Sequence, residues 1–105
     1  MAHPAAITSV GACLPRLRLP RARIAEAVAW MNPAVRAPLE GARAVCNWDE
    51  DAVTLAVEAA RGCLAGGGAR SRIDVLALAS TTLPFADRDN AALVAGALDL
   101  PGYDQ

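Results

Sequence analysis

The sequence predicts an α/β fold, ordered strand, helix, helix, strand, helix. Three observations carry that reading. Residues 73–79 (Ile-Asp-Val-Leu-Ala-Leu-Ala) become, from Val75 onward, an apolar run that does not alternate. Such a run is typical of a central parallel strand covered on both faces. Two other stretches repeat their apolar residues at helical spacing. Alanine supplies 25 of the 105 residues while Phe, Tyr and Trp together supply 4%, so elements can approach closely although each side chain buries little area.

In chain order, residues 7–14 mix apolar and small side chains before Pro15 and read as the first strand, with Gly11 marking a bulge or a close backbone approach. Arg16-Leu17-Arg18-Leu19-Pro20-Arg21 is extended, with Leu17 and Leu19 on one side. A helix starts near Pro20 or Arg21, where proline suits the first turn. Ile24, Ala27, Val28 and Met31 form its apolar stripe, and Pro33 stops it. Residues 32–41, with two prolines and a glycine, form a loop. Asn47 is placed to cap the second helix, with Glu50 in capping-box position and Asp49 and Asp51 favourable in the first turn. Val53, Ala56, Val57, Ala60 and Leu64 make its apolar face, and Gly66-Gly67-Gly68 ends it. After the strand at 73–79, the polar loop 80–89 leads to a third helix. Asp87 or Asp89 caps it, and it runs to about Leu98.

Two strands cannot complete a sheet around a central parallel strand, and a further strand is expected directly after the last helix. A core so poor in large side chains is also thin compensation for the ordering entropy of a stand-alone domain. The chain therefore reads as part of a larger fold.

Charge and residue usage exclude several function classes. Ten basic and eleven acidic residues give a net charge of −1, against a dedicated nucleic-acid binder. Every basic residue is Arg, which removes both a Gly-Lys-Ser/Thr phosphate loop and a Schiff-base lysine. The one histidine, His3, lies in the N-terminal tail, so neither a Ser-His-Asp nor a Cys-His site can be assembled within the chain. Cys13, Cys46 and Cys63 are odd in number and widely spaced, with no Cys-x-x-Cys. They read as small buried thiols in a reducing cytosol, not as metal ligands or a disulfide framework. No apolar run reaches the length of a membrane span. Four Arg and no acid among the first 25 residues superficially match a transit peptide, but residues 5–10 are apolar ahead of those Arg, against a secretory signal. The expectation is a cytoplasmic protein that binds neither nucleic acid nor membrane.

Among candidate sites, Arg16, Arg18, Arg21 and Arg23 put four positive charges within eight residues. They suit either phosphate, which guanidinium pairs in a bidentate way, or a solvated edge. Gly66-Gly67-Gly68 follows a helix where a phosphate cradle would precede one, so it reads as a C-cap. Trp30 and Trp48 serve as packing anchors or as stacking platforms. Ser80-Thr81-Thr82 lies at the C-terminal end of the expected central strand, where open α/β sheets place ligands, although no base stands beside these hydroxyls.

Five stretches, taken in order, resemble the N-terminal part of the thiolase-fold condensing enzymes, the hydroxymethylglutaryl-CoA synthases and the related ketoacyl-acyl-carrier-protein synthase III group. They are Ile7-Thr8-Ser9-Val10-Gly11-Ala12-Cys13-Leu14-Pro15, Asn47-Trp48-Asp49-Glu50-Asp51, Ala56-Val57-Glu58-Ala59-Ala60, residues 73–82, and Asn90-Ala91-Ala92-Leu93-Val94 leading into Leu98-Asp99-Leu100-Pro101. The resemblance implies a partial thiolase-like fold, an incomplete half of a five-layer αβαβα architecture, with residues 1–105 as an N-terminal segment truncated before the nucleophilic cysteine. It implies Claisen-type condensation through a cysteine acyl-enzyme, with a coenzyme A thioester as substrate, no other cofactor and no metal. It also implies acyl-CoA or acyl-carrier protein as partner and a homodimer at full length. Cys13, Cys46 and Cys63 do not match the nucleophile, so the segment alone is expected to be inactive.

Thr81 occupies the position where the hydroxymethylglutaryl-CoA synthases carry an acid/base glutamate, and a threonine hydroxyl cannot replace a carboxylate in proton transfer. That departure leaves the synthase III type of chemistry open. There, a Trp and nearby arginines hold the adenine and phosphates of CoA, and the matching positions are Trp30, Arg36 and Arg43. Thr81 and Thr82 complete the substrate-binding set that the resemblance implies. Rival readings are a non-catalytic interaction module that docks on a full-length synthase, and a structural remnant with no ligand.

Overall fold

The computed structural model describes residues 4–37, 39–66 and 70–102. His3, Gly67 and Gly68, named above, lie outside the described residues. The fold is α/β, and the chain divides into a smaller unit, Leu14–Asp49, and a larger one built from Met1–Cys13 and Glu50–Gln105.

The smaller unit contains strand β1 (Leu17–Pro20), helix α1 (Arg21–Val28), a 3₁₀ turn at Pro33–Arg36 and strand β2 (Ala42–Val45). The two strands pair antiparallel, with Leu17 opposite Val45 and Leu19 opposite Arg43. Gly41, at φ +84°, takes the left-handed conformation that the entry into β2 requires. Helix α1 starts directly after Pro20, which offers no side-chain cap. One of its free N-terminal donors is satisfied by the sheet, because Arg21 N donates to Gly41 O at 3.0 Å. Its buried residues are Ala25 and Ala29, with Ile24 and Val28 half-buried. The expected stripe is thus corrected at Ala27, which lies on the helix outside the packed arc of Ile24, Ala25, Val28 and Ala29, and at Met31, which falls beyond the end of the regular helix at Val28; both are exposed. The expected 32–41 loop contains the 3₁₀ turn, started by Pro33 and capped by Asn32 Oδ1 accepting from Ala34 N. Strand β2 was not expected, since Ala-Arg-Ala-Val has weak strand preference and acquires its conformation by pairing with β1.

The larger unit is organised by helices α2 (Ala52–Ala65) and α3 (Asn90–Ala97). Asp51, not Asn47, caps α2. The carboxylate of Asp51 accepts from Thr54 N at 2.9 Å, and Thr54 Oγ1 accepts from Asp51 N at 2.8 Å, a closed reciprocal pair. The Asn47 side chain is used upstream, accepting from Trp48 N. Asp89 caps α3 by accepting from Ala91 N and Ala92 N, and the helix gives way at Leu98 as expected. Val57, Val94, Ala95, Leu98 and Leu100 form the buried core. The expected α2 face, Val53, Ala56, Val57, Ala60 and Leu64, packs there together with Ile73, Leu76 and Leu78.

Both expected strands of this unit need correction. Residues 7–14 and 73–79 carry no strand pairing among the described residues, so neither the order strand, helix, helix, strand, helix nor a central parallel strand is present. A strand exists only where a neighbour completes its ladder, and the sheet observed is the β1–β2 ribbon alone. Each segment nevertheless packs part of its side chains and exposes the rest, with a two-residue alternation only over residues 75–79. Leu76 and Leu78 are half-buried against the core while Val75 is 83% exposed. Ser9 and Cys13 are half-buried, whereas Ile7 and Val10 are 86% and 79% exposed. The close approach expected at Gly11 is real. A Cβ there would lie 2.2 Å from Ala59 O and 2.5 Å from Cys63 N, so this segment runs directly against the α2 backbone. Among the described residues no helix is long and apolar enough to cross a membrane.

Candidate functional site

The smaller unit has two concavities, on different faces of α1. The larger, about 470 Å³, is lined by Ala22, Ala25, Glu26, Ala29, Trp30, Arg36 and Leu39. Ala22, Ala25 and Ala29, along α1 and its C-cap, put methyl groups on its floor beside Glu26, while Trp30 and Arg36 form part of the wall. Trp30 is 78% exposed, and its indole Nε1 donates to Ala27 O at 3.1 Å, one turn back along its own helix. Trp48 is more exposed still, so neither indole is a packing anchor. An apolar floor and an accessible indole face are groups that receive a flat aromatic ring, with the Arg36 guanidinium and the Glu26 carboxylate as the charged groups of the wall. The second concavity, about 110 Å³, brings Arg21 and Arg43 together with Ile24, Val35 and Ala37.

Ser80, Thr81 and Thr82 belong to the larger unit and are exposed. Ser80 Oγ accepts from Thr82 N at 3.1 Å and lies 3.3 Å from Thr82 Oγ1, so two of the three hydroxyls are spent on a local turn. The rest of the loop is held by Asn90. Its side chain is buried and bridges Phe85 N, Phe85 O and Arg88 O, and the Arg88 guanidinium stacks 5.3 Å from the centre of the Phe85 ring. Sequence reasoning passed over Asn90 as a loop clamp. The available signal was an amide, both donor and acceptor, directly after the capping Asp89.

Cys13, Cys46 and Cys63 are free thiols, and Cys46 is exposed, not buried as expected. No group of three or more His, Cys, Asp or Glu side chains among the described residues is placed to hold a metal ion.

The chain is thus an α/β polypeptide in which an aromatic and arginine-walled concavity and a hydroxyl-bearing loop lie on separate units. Over 98 residues, 90% of its length, it is 32% identical to the hydroxymethylglutaryl-CoA synthase of Methanocella arvoryzae. The chain spans 28% of that enzyme's length. No family model matches the chain, and no solved structure matches it.

Proposed function

We propose that these residues form the N-terminal part of an acyl-CoA condensing enzyme with a thiolase-like fold, related to hydroxymethylglutaryl-CoA synthase. The observation that carries the reading is the 32% identity to the Methanocella arvoryzae synthase along almost the whole chain. A second feature agrees with it: two extended apolar segments, 7–14 and 73–79, lie against the helices and leave Ile7, Val10 and Val75 open, as strands awaiting further sheet would.

In this reading the segment supplies one wall of an acyl-CoA site. On the smaller unit, Trp30 stacks on the adenine, and Arg36 and Arg43 pair phosphates. The nucleophilic thiolate, from polypeptide outside these residues, attacks the thioester carbonyl and expels the CoA thiolate. A carbanion equivalent then attacks the acyl-enzyme carbonyl to form the new carbon–carbon bond. Thr81 is not equipped to move the protons that a carboxylate would move, so that duty falls to another group.

The test is the intact mass of the protein as its own cells make it, before and after incubation with acetyl-CoA. The expected result is a polypeptide well above 10.8 kDa that gains one acetyl group on a cysteine other than Cys13, Cys46 or Cys63. A species of 10.8 kDa that stays unacetylated would overturn the reading, as would stoichiometric acetylation of one of those three thiols.

A further inference from the structure

The arginine cluster noted in the sequence is not fully absorbed by that reading, and the structure gives one member of it a partner. Arg21 is the first residue of α1 and continues the β1–β2 register, its N–H bonded to Gly41 O. Arg43 lies two residues along β2, opposite Leu19. The two are therefore diagonal cross-strand neighbours, within reach of each other for side chains of this length. Gly41, directly across from Arg21, contributes no side chain, and a Cβ built on it would stand 3.9 Å from Arg21 Nε. The Arg21 guanidinium thus lies over the turn, and it shares with Arg43 the 110 Å³ concavity floored by Ile24, Val35 and Ala37.

Both arginines are exposed, so water screens their mutual repulsion, and the hollow presents unopposed positive charge to a ligand. Two like charges line one small hollow, and no acidic residue lines it with them. Among the described residues neither guanidinium is in an ion pair; the ion pairs found are Arg23–Glu26 and Arg61–Glu58. Arg21 also stands in the first turn of α1, which carries no acid and where a cation opposes the helix dipole. The volume corresponds to about three or four waters at about 30 Å³ each, the scale of one tetrahedral oxyanion. Guanidinium forks offer paired donors to such a group from two sides.

We propose that Arg21 and Arg43 form a phosphate-binding cleft on the smaller unit, with Arg21 as the residue that makes it bidentate. The cleft shares Arg43 with the proposed CoA site but stands on its own geometry. Its phosphate belongs either to free phosphate or to a nucleotide-type ligand.

The test is titration of the whole protein, as its own cells make it, with inorganic phosphate and pyrophosphate, and separately with CoA and 3′-dephospho-CoA, followed by amide chemical shifts. Phosphate should saturate with shifts centred on Arg21, Gly41 and Arg43. Binding should weaken about tenfold or more in R21Q and in R43Q, and be partly restored in R21K, which keeps the charge and loses the fork. If CoA binds more tightly than dephospho-CoA and R21Q removes the difference, the phosphate is the nucleotide's. If phosphate and pyrophosphate bind here while neither CoA form binds, the cleft stands and the condensing-enzyme reading loses its substrate. If CoA binds but R21Q and R43Q leave every affinity unchanged, the cleft is refuted and that reading survives. Shifts scattered over other arginines would equally refute it.

Discussion

Three glycines give a sharp test of the packing described here, because the same Gly→Ala change should act with opposite sign at different sites. At Gly11 a new methyl would sit 2.2 Å from a backbone oxygen, 2.5 Å from a backbone nitrogen and 2.9 Å from Cys63 Cβ. Two of those three atoms belong to the main chain of α2 and cannot swing aside, so residues 7–14 must lift away from the helix. That displacement also stretches the bond from Ser9 Oγ to Cys63 O, now 2.5 Å. Overpacking of this kind costs about 1–3 kcal/mol, and losing a hydrogen bond adds about 1 kcal/mol. The lower entropy of an alanine-containing unfolded chain returns about 0.4–1 kcal/mol. The net loss for Gly11→Ala is then about 2 kcal/mol, or a fall of about 1 M in the urea midpoint at ordinary slopes for a chain this size. Gly62 and Gly96 lie within α2 and α3, and a Cβ at either meets nothing within 4 Å. Alanine there should raise stability by about 0.5–1 kcal/mol each. Urea denaturation followed by helical circular dichroism measures all three. The reasoning is refuted if Gly11→Ala unfolds within 0.2 M of the parent, or if Gly62→Ala and Gly96→Ala destabilise by as much as it does.

Two further outcomes follow from caps and core. Asp51→Ala removes the acceptor of Thr54 N and opens the reciprocal pair at the start of α2, so it should lower stability by about 1 kcal/mol in the same assay; an unchanged midpoint would mean that another residue caps the helix. Leu98 is 1% exposed at the centre of a core with few other large side chains, and Leu98→Ala should cost about 3–5 kcal/mol, seen as loss of a cooperative thermal transition, whereas a loss under 1 kcal/mol would place the core elsewhere.

Helices were more legible in the sequence than strands, of which only the extended stretch that holds β1 was read, and the reason is the range over which each is determined. The α2 face is written at spacings of three and four residues, and all five of its expected positions pack on the core. The α3 cap was narrowed to two aspartates, of which Asp89 is used. The α2 cap was misplaced because Asn47 and Glu50 satisfy the capping-box pattern, while Asp51 and Thr54 satisfy the same geometry four residues later with a charged acceptor. Sequence spacing does not rank such competitors. Strand β2 was missed for the converse reason. Its residues have little strand preference of their own, and its identity comes from β1, more than twenty residues upstream.

The candidate sites divide along the same line. Trp30, Arg36 and Arg43 were singled out by family resemblance, but the resemblance contains no information on which side chains share a hollow. The backbone separates Arg43 from Trp30 and Arg36 by lining different faces of α1, and it gives Arg43 to Arg21. That regrouping follows from a single turn: Gly41 enters β2 at a positive φ, and the β1–β2 register puts Arg21 and Arg43 on one diagonal. A side chain at position 41 would be strained by the positive φ, while its Cβ would meet Arg21 Nε only at an ordinary contact distance of 3.9 Å, so it is the conformation of the turn that asks for glycine here.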